Sequence, residues 1–136
     1  MSEWHVYIDG ASSGNPGESG AGVIAFSGAG DELYSGSIYL GSMTNNMAEY
    51  EALIHALEKA REMMVKNIHV YTDSLLLANQ INGIYKIHNT CLQEYANRAR
   101  IIMRDFERFS VKHIPREENR LADKLAKNGV RKGVNG

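Results

Sequence analysis

The chain has 136 residues, of which 43% are apolar and 23% charged, with two prolines and one cysteine. This composition predicts one globular domain over residues 1–136 and excludes disordered, fibrous and disulfide-stapled proteins. The formal net charge of −1 is unevenly distributed: residues 1–97 carry four Lys or Arg against 11 Asp or Glu, and residues 98–136 carry 11 against five. This asymmetry is compatible with a polyanion-binding face beside a cation-binding one, and equally with a pair of solvated basic helices.

The sequence carries no sign of export or membrane insertion. Its apolar runs are far shorter than a membrane span, and its start lacks a basic segment followed by an apolar stretch. Cys91 has no second cysteine with which to form an internal disulfide or a thiolate cluster. We therefore expect a monomeric protein of the reducing cytoplasm with no membrane partner.

The first third of the chain predicts three strands in an antiparallel meander. Alternating apolar and polar residues indicate a strand over residues 4–9, and a glycine-rich, turn-forming segment follows it. Residues 22–27 and 32–41 have the composition of two more strands, joined by a short connection. Short connections of this kind favour antiparallel pairing.

The rest of the chain alternates helices with strands. Apolar residues recur at spacings of three and four over residues 46–65, which predicts an amphipathic helix. The patterns that follow predict strands over 67–73 and 109–114 and helices over 74–81, 90–108 and 117–132. Strands linked through helices pair in parallel, so the order predicts an α/β protein in which three antiparallel strands are followed by two strands that pair in parallel.

Two aspartates follow or end predicted strands. Asp9 precedes Gly10, and an Asp-Gly pair is common in turns. Asp73 precedes a predicted helix, where an aspartate often caps the N-terminus. Asp73 also stands at the carboxyl end of a parallel strand, which is where α/β sheets place their ligand sites.

Two further acids lie on predicted helices. Glu49 is in the first turn of its helix, three residues after Asn46, which is the spacing of a capping box. Glu49 also lies on the edge of the apolar stripe, and a carboxylate that faces inward needs a compensating cation or proton. Asp123 is within the last helix, where an ion pair with Lys127 four residues later is its ordinary role.

Each acid has an ordinary structural explanation, but together the four favour a cation site. Several carboxylates near adjacent strand ends repel one another unless a cation lies between them. Carboxylate oxygens suit Mg²⁺ or Mn²⁺ better than Zn²⁺, and such sets commonly hold two metals about 4 Å apart that act on a phosphodiester. Spacing along the chain does not by itself establish that the four converge.

Four longer motifs resemble those of the type 1 ribonuclease H family, in the family's order and over almost the whole chain. They are YIDGASSGNPG (7–17), TNNMAEYEALIHAL (44–57), YTDS (71–74) and HIPREENRLADKLA (113–126). The resemblance implies a ribonuclease H-like α/β fold, a five-stranded mixed sheet of three antiparallel and two parallel strands flanked by helices. It also implies hydrolysis of the RNA strand of an RNA–DNA hybrid, with two Mg²⁺ ions per site and Mn²⁺ as an alternative. It further implies products with a 5′-phosphate and a 3′-hydroxyl.

The resemblance also assigns roles around the metals, to be held by Asp9, Gly10, Glu49, Asp73 and Asp123. Asp9 would bridge both metals from the central strand. Glu49 and Asp73 would lie on the leaving-group side, and Asp123 at the metal of the nucleophilic water.

One histidine stands at the family's spacing of ten residues before the last acid. His113 would there assist proton transfer or product release, as an imidazole can near neutral pH. A purely structural strand histidine is the alternative, and Arg116, in the loop that follows, is its rival. The remaining histidines have no ligand spacing and are interpreted as structural: His5, His55, His69 and His88.

Contacts to the hybrid are expected next to Asp9. The 2′-hydroxyl distinguishes RNA from DNA, and small residues and backbone groups read it best at close range. The resemblance places Asn15, Asn45 and Gln80 in the minor groove and Thr44 at a DNA phosphate. Asn79 competes with Gln80 because the helix register is uncertain, and Thr44 and Asn45 also suit helix capping. The full set of predicted substrate contacts is Ser12, Asn15, Thr44, Asn45, Gln80 and Arg116.

The chain departs from many bacterial relatives in one segment. Residues 82–91 replace the family's basic, Trp-containing protrusion and carry only Lys86 as a charge. Fewer phosphate contacts predict weaker hybrid binding with a flatter salt dependence.

Three alternatives to a free-standing ribonuclease H stay open. The first is another polynucleotidyl transferase of the same fold that acts on DNA. The second is a module that binds hybrids without cleaving them. The third is a domain excised from a retroelement.

Overall fold

A computed structural model describes residues 2–135 of the chain. Five strands and four helices follow one another in the predicted order. They are β1 (Glu3–Ser12), β2 (Gly17–Phe26), β3 (Glu32–Met43), α1 (Asn45–Glu62), β4 (Asn67–Thr72), α2 (Leu75–Ile81), α3 (Thr90–Met103), β5 (Arg108–His113) and α4 (Arg120–Asn135), with a single 3₁₀ turn (Arg116–Glu118) before α4.

The strands form one sheet in the order β3-β2-β1-β4-β5. β1, β2 and β3 pair antiparallel, while β4 pairs in parallel with both β1 and β5. The predicted five-stranded mixed sheet is therefore confirmed. β1 is the central strand, so its carboxyl end meets that of β4 at one edge of the sheet.

The main core lies between the sheet and α1. Trp4, Val6 and Ile8 alternate along β1 and are at most 2% exposed. They pack in one cluster with the buried side of α1, which includes Leu53 and Leu57. Burial of each such side chain contributes roughly 1.5–3 kcal/mol of transfer free energy. This packing fixes the position of α1 relative to the end of β1.

The other face of the sheet holds α4 against β1, β2 and β3. The approach is close because Gly22 has no side chain, and a β-carbon there would overlap the backbone of Ala122 and Ala126. The Ser37 hydroxyl donates to the carbonyl of Leu125 at 2.5 Å and ties β3 to the same helix. α4 is thereby seated beside the end of β1.

Several element boundaries differ from the sequence prediction. β1 and β2 run on into the glycine-rich segment, with Asp9 opposite Gly22 and Ser12 opposite Ser19, because ladder hydrogen bonds need only the backbone. α3 ends at Met103, before the predicted end at residue 108. Phe106, in the turn that follows, is buried and had extended the apolar periodicity.

The last helix begins later than predicted and ends later. Residues 117 and 118 belong to the 3₁₀ turn, and α4 starts at Arg120 and runs to Asn135. None of the helices within residues 2–135 has the length and apolar character needed to cross a bilayer.

Candidate active site

The end of β1 is joined directly to the start of α1. The backbone N–H of Gly10 donates a hydrogen bond to the Glu49 carboxylate. A β-carbon on Gly10 would overlap the backbone of Ala48 and Glu49, so only glycine allows this approach. The contact holds Glu49 beside Asp9, and both side chains are buried.

The N-terminus of α1 is capped by Thr44, whose hydroxyl accepts a hydrogen bond from the Met47 N–H at 3.2 Å. The capping-box explanation of Glu49, with Asn46 as the cap, is therefore wrong. Glu49 instead turns its carboxylate inward toward Gly10, as its place on the edge of the apolar stripe suggested.

Asp73 follows β4 at the same edge of the sheet. Ser74, and not Asp73, caps α2, since its hydroxyl accepts from the Leu77 N–H at 3.1 Å. The Asp73 carboxylate is free of that role, and Asp9, Glu49 and Asp73 each place an oxygen within 4.8 Å of the other two. The structure thus supplies the convergence that spacing along the chain left open.

Asp123 reaches the same place from α4. Its carboxylate lies 3.0 Å from Lys127 Nζ, so the predicted i,i+4 ion pair is present, and it is hydrogen-bonded to Asp9. Burial opposes ionisation, but the hydrogen bonds of Lys127 and Asp9 and the charges of Lys127 and Arg116 hold the pKa of Asp123 below its usual value. The ion pair and a place among the acids are both features of this residue.

Burial makes the cluster electrostatically unfavourable without a counterion. Burial, followed by the charges of Glu49 and Asp73, raises the pKa of Asp9 to about 10. Burial raises the pKa of Glu49 to about 8, although the Gly10 N–H works in the opposite direction. These carboxylates must gain protons or a cation, and an all-oxygen donor set fits a hard divalent ion such as Mg²⁺.

One open cleft of about 450 Å³ collects most of the predicted site. Its lining includes eight predicted residues, namely Asp9, Gly10, Ser12, Asn45, Glu49, Asp73, Arg116 and Asp123. Lys127 also lines the cleft, beside Asp123. The sequence offered Lys127 only as an ion-pair partner, and its i,i+4 spacing from Asp123 was the one signal of its place here.

The rim of the cleft is built from the β1–β2 turn and the start of α1. The Ser12 hydroxyl donates to the Gly14 carbonyl and lies 3.2 Å from the Met43 carbonyl. The Asn15 side-chain carbonyl accepts from the Asn45 N–H at 3.0 Å and links the turn to the helix. Ser12 and Asn15 therefore organise this rim through their own hydrogen bonds.

Asn119 was missed by the sequence analysis although it positions α4. It is 1% exposed, and its amide donates to the carbonyl of Ile8, one residue before Asp9, at 2.9 Å. Its backbone carbonyl accepts from the Asp123 N–H, which is the ordinary pattern of a residue preceding a helix. Sequence reasoning could find only that local role, because the contact with β1 spans 111 positions.

Two predicted residues lie elsewhere. His113 ends β5 opposite Thr72 and is exposed, and it is absent from the cleft lining to which Arg116 contributes. Gln80 is 5% exposed, and its side-chain carbonyl accepts from the Tyr50 hydroxyl at 2.7 Å. The minor-groove prediction for Gln80 is corrected, because the register of α2 turns this residue toward α1; its rival Asn79 is half-buried.

Known proteins resemble the chain over nearly its whole length. Residues 7–129 match a protein family described as reverse transcriptase-like. Ribonuclease HI of Halobacterium salinarum is 39% identical over 126 residues, which are 93% of this chain and 63% of that protein. The chain thus spans less than two thirds of that relative.

Solved structures agree with these sequence matches. The crystal structure of RNase H1 from the same archaeon has a TM-score of 0.93 at 38% identity, covering 96% of this chain and 98% of that one. LC11-RNase H1, solved in complex with an RNA/DNA hybrid, has a TM-score of 0.91 at 35% identity, covering 96% and 99%.

Proposed function

The chain belongs to the type 1 ribonuclease H family, and we propose that it is an endonuclease that hydrolyses the RNA strand of RNA–DNA hybrids. The observation that carries this proposal is the convergence of Asp9, Glu49, Asp73 and Asp123 on one open cleft. The relative solved with an RNA/DNA hybrid supports the choice of substrate.

The four carboxylates, with the backbone at Gly10 beside them, would hold two divalent ions, Mg²⁺ or Mn²⁺. When bound, the ions neutralise charge at the scissile phosphate and lower the pKa of the attacking water. The proposed reaction forms a bond from a water oxygen to phosphorus and breaks the bond to the 3′ oxygen, which takes up a proton. The products carry a 5′-phosphate and a 3′-hydroxyl.

The surrounding residues have distinct proposed tasks. Gly10 fixes the Glu49 carboxylate through its N–H, and Lys127 keeps Asp123 ionised and oriented. Arg116 lies in the cleft lining and is placed to contact a phosphate. His113 is exposed and adjacent to this edge of the sheet, where it would move a proton or assist product release.

Recognition of the hybrid is assigned to the rim. The hydrogen bond between Asn15 and the Asn45 N–H sets the β1–β2 turn against α1, next to the metal-binding acids. Polar groups held rigidly beside these acids suit a 2′-hydroxyl, which both donates and accepts hydrogen bonds. Thr44, already used as a helix cap, would approach the DNA strand.

Cations near Asp123 replace part of the missing protrusion. Arg116 and Arg120 line a shallow pocket with Asp123, and Lys127 adjoins it. So few phosphate contacts make hybrid binding depend only weakly on salt. Each neutralised phosphate contributes about −0.9, for B-form DNA, to the slope of the logarithm of the binding constant against the logarithm of the salt concentration. A salt slope equal to that of a protrusion-bearing relative would contradict this account.

A cleavage assay on a labelled RNA–DNA hybrid tests the proposal. We expect cleavage of the RNA strand with Mg²⁺ or Mn²⁺, none with EDTA, and none of single-stranded RNA or duplex DNA. The Asp9→Asn and Asp73→Asn variants should be inactive, whereas Asp31→Asn, at an exposed turn, should retain activity.

Each competing function gives a different result in the same assay. Cleavage of duplex DNA would favour another polynucleotidyl transferase. Hybrid binding without cleavage at any metal would favour a non-catalytic module. Full activity in both active-site variants would overturn the assignment of the carboxylates.

A further inference from the structure

A second cluster of potential ligands lies on the sheet face that does not carry α1. Parallel pairing of β1 with β4 sets His5 directly opposite His69, and Glu3 lies two residues before His5 on the same face. The active-site cleft uses none of the three. Sequence spacing indicated no ligand set here, because the two histidines are 64 positions apart and only the strand register brings them together.

The cluster is compact enough to hold one metal ion, since one ligand atom from each of its three residues lies within 4.8 Å of the other two. Glu3 Oε1 lies 3.6 Å from His5 Nε2, and Glu3 Oε2 lies 3.1 Å from His69 Nε2. The two imidazole rings are stacked with centroids 4.9 Å apart. In a tetrahedral Zn²⁺ site with bonds of roughly 2.0–2.2 Å, neighbouring ligand atoms are roughly 3.3–3.5 Å apart. The two His–Glu separations, each to a different oxygen of Glu3, lie on either side of that range.

The second ring nitrogen of each histidine, Nδ1, also has a hydrogen-bond partner. His5 Nδ1 lies 2.9 Å from the Tyr71 hydroxyl, and His69 Nδ1 lies 3.0 Å from the Ser110 hydroxyl. Histidine ligands of metals almost always have such a partner on the second nitrogen, because it fixes the ring and its tautomer. The two Nε2 atoms are therefore oriented toward Glu3 by contacts that do not depend on a metal.

The two hydroxyls make the cluster stable with or without an ion. A hydroxyl can donate or accept, so each can donate to Nδ1 while the Nε2–H of His69 donates to Glu3 and that of His5 points toward it. It can equally accept from Nδ1–H, which frees the Nε2 lone pairs for a cation. Binding then requires only a change of tautomer and rotation of two hydroxyl hydrogens.

The ligand types and exposure indicate which ion fits. Two imidazoles and one carboxylate suit Zn²⁺, whereas Mg²⁺ prefers oxygen alone. The side chains of Glu3, His5 and His69 are 42%, 30% and 29% exposed, which leaves room for water at a fourth position. His5 is four residues before Asp9, about 13 Å along an extended strand, so the two clusters are separate.

We propose that Glu3, His5 and His69 bind one Zn²⁺ ion at a site distinct from the carboxylate cleft. The ion would link the first residues of β1 to β4. A ligand that binds only the folded state stabilises it in proportion to the logarithm of its concentration over Kd. This proposal does not depend on the proposed nuclease function.

Calorimetric titration of the whole chain with Zn²⁺, in excess Mg²⁺ to occupy the carboxylates, tests the site. We expect one Zn²⁺ per chain in the wild type, in Asp9→Asn and in His88→Gln, which removes an exposed histidine outside the cluster. His5→Gln and His69→Gln should weaken binding at least tenfold. Unchanged binding in both cluster variants, or its loss in Asp9→Asn, would overturn the proposal.

A spectroscopic measurement keeps the test independent of variant stability. On the wild-type protein, Zn²⁺ should shift the imidazole nitrogen resonances of His5 and His69 and leave those of His88 unchanged. Co²⁺ in place of Zn²⁺ should give the visible absorption of a four-coordinate site. Shifts confined to other histidines, or none at all, would contradict it.

Discussion

The two ends of β1 present two contrasting ligand clusters on one strand. At the carboxyl end, Asp9 is buried beside Glu49 and Asp73, all of the ligands are oxygen atoms, and the pKa values of Asp9 and Glu49 are strongly raised. At the amino end, Glu3, His5 and His69 are half-exposed. His69 is hydrogen-bonded to Glu3, and His5 Nε2 lies 3.6 Å from the same carboxylate. The first cluster is unfavourable without a cation, whereas the second is complete without one. Burial and donor type, rather than the number of ligands, make the difference.

The largest effect should follow from removing one charge at the carboxyl end. Asp9→Asn keeps the shape of the side chain but removes a shared carboxylate, so hybrid cleavage should fall by at least about a thousandfold. The melting temperature of the metal-free protein should rise or stay level, because residue 9 no longer has to bury a charge or take up a proton when the chain folds. Activity and thermal unfolding in EDTA measure the two parts, with Asp31→Asn as the matched control. If Asp9→Asn lowered the melting temperature as well as the activity, Asp9 would be a structural residue instead.

A smaller effect should follow from separating Glu49 from β1. In Gly10→Ala the added β-carbon overlaps the backbone of Ala48 and Glu49, so α1 must shift. We expect activity to fall roughly 10- to 100-fold and the free energy of unfolding to fall by about 1–3 kcal/mol. Steady-state kinetics and denaturant unfolding check this. Gly28→Ala, at an exposed turn where a β-carbon meets only the flexible end of the Glu3 side chain, controls for the loss of a glycine. Wild-type kinetics in Gly10→Ala would show that the close approach is unnecessary.

The stability of the metal-free protein should depend on pH in a direction set by the acids. Asp9 and Glu49 have folded-state pKa values of about 10 and about 8, above the ordinary values that apply in the unfolded chain. The folded state therefore binds more protons than the unfolded chain. For these two groups, the free energy of unfolding should be greatest below about pH 4 to 5 and should decline toward pH 8 to 10. The decline is at most about 1.4 kcal/mol per proton and pH unit.

Thermal unfolding in EDTA across this pH range measures the decline. Mg²⁺ should restore stability most at the alkaline end, since it replaces the missing protons, and Asp9→Asn should flatten the profile. A pH profile that is the same in the wild type and Asp9→Asn would refute the electrostatic part of the comparison.

The smallest effect is expected at the amino end. Glu3→Gln removes the charge that faces His5 and His69 but leaves a side chain of the same size. Ion pairs at this degree of exposure contribute about 0–1 kcal/mol, so the metal-free protein should lose no more than that. Denaturant unfolding without metal, compared with Glu32→Gln at an exposed position, checks the figure. A loss above about 2 kcal/mol would mean that Glu3 interacts with the histidines more strongly than its exposure allows. A gain in stability would mean that this cluster, too, is under strain without a cation.

The sequence predicted the strands of the sheet and the four acids better than it predicted the contacts that hold the acids in position. Periodicity was sufficient for the core strands and for α1, since one face of each is buried. Glu49 had two explanations, and only the contact with Gly10 decides between them.

Features that depend on register or on distant contacts could not be read from the chain. The side chain of Gln80 faces the core because of the rotation of a seven-residue helix, which neighbouring residues do not determine. Asn119 acts on a strand 111 positions away, and His5 meets His69 only through parallel pairing. In each case the missing information was tertiary.

Asp123, the fourth acid, is in place only while α4 remains packed against Gly22 of the sheet. Asp9, Glu49 and Asp73 are held by the central strands and α1, while Asp123 arrives on a helix that packs on the opposite face. Local opening of α4 would remove Asp123 and leave the other three acids in position. Amide hydrogen exchange in α4 therefore reports directly on the fraction of molecules that carry a complete site, whatever the global stability of the sheet.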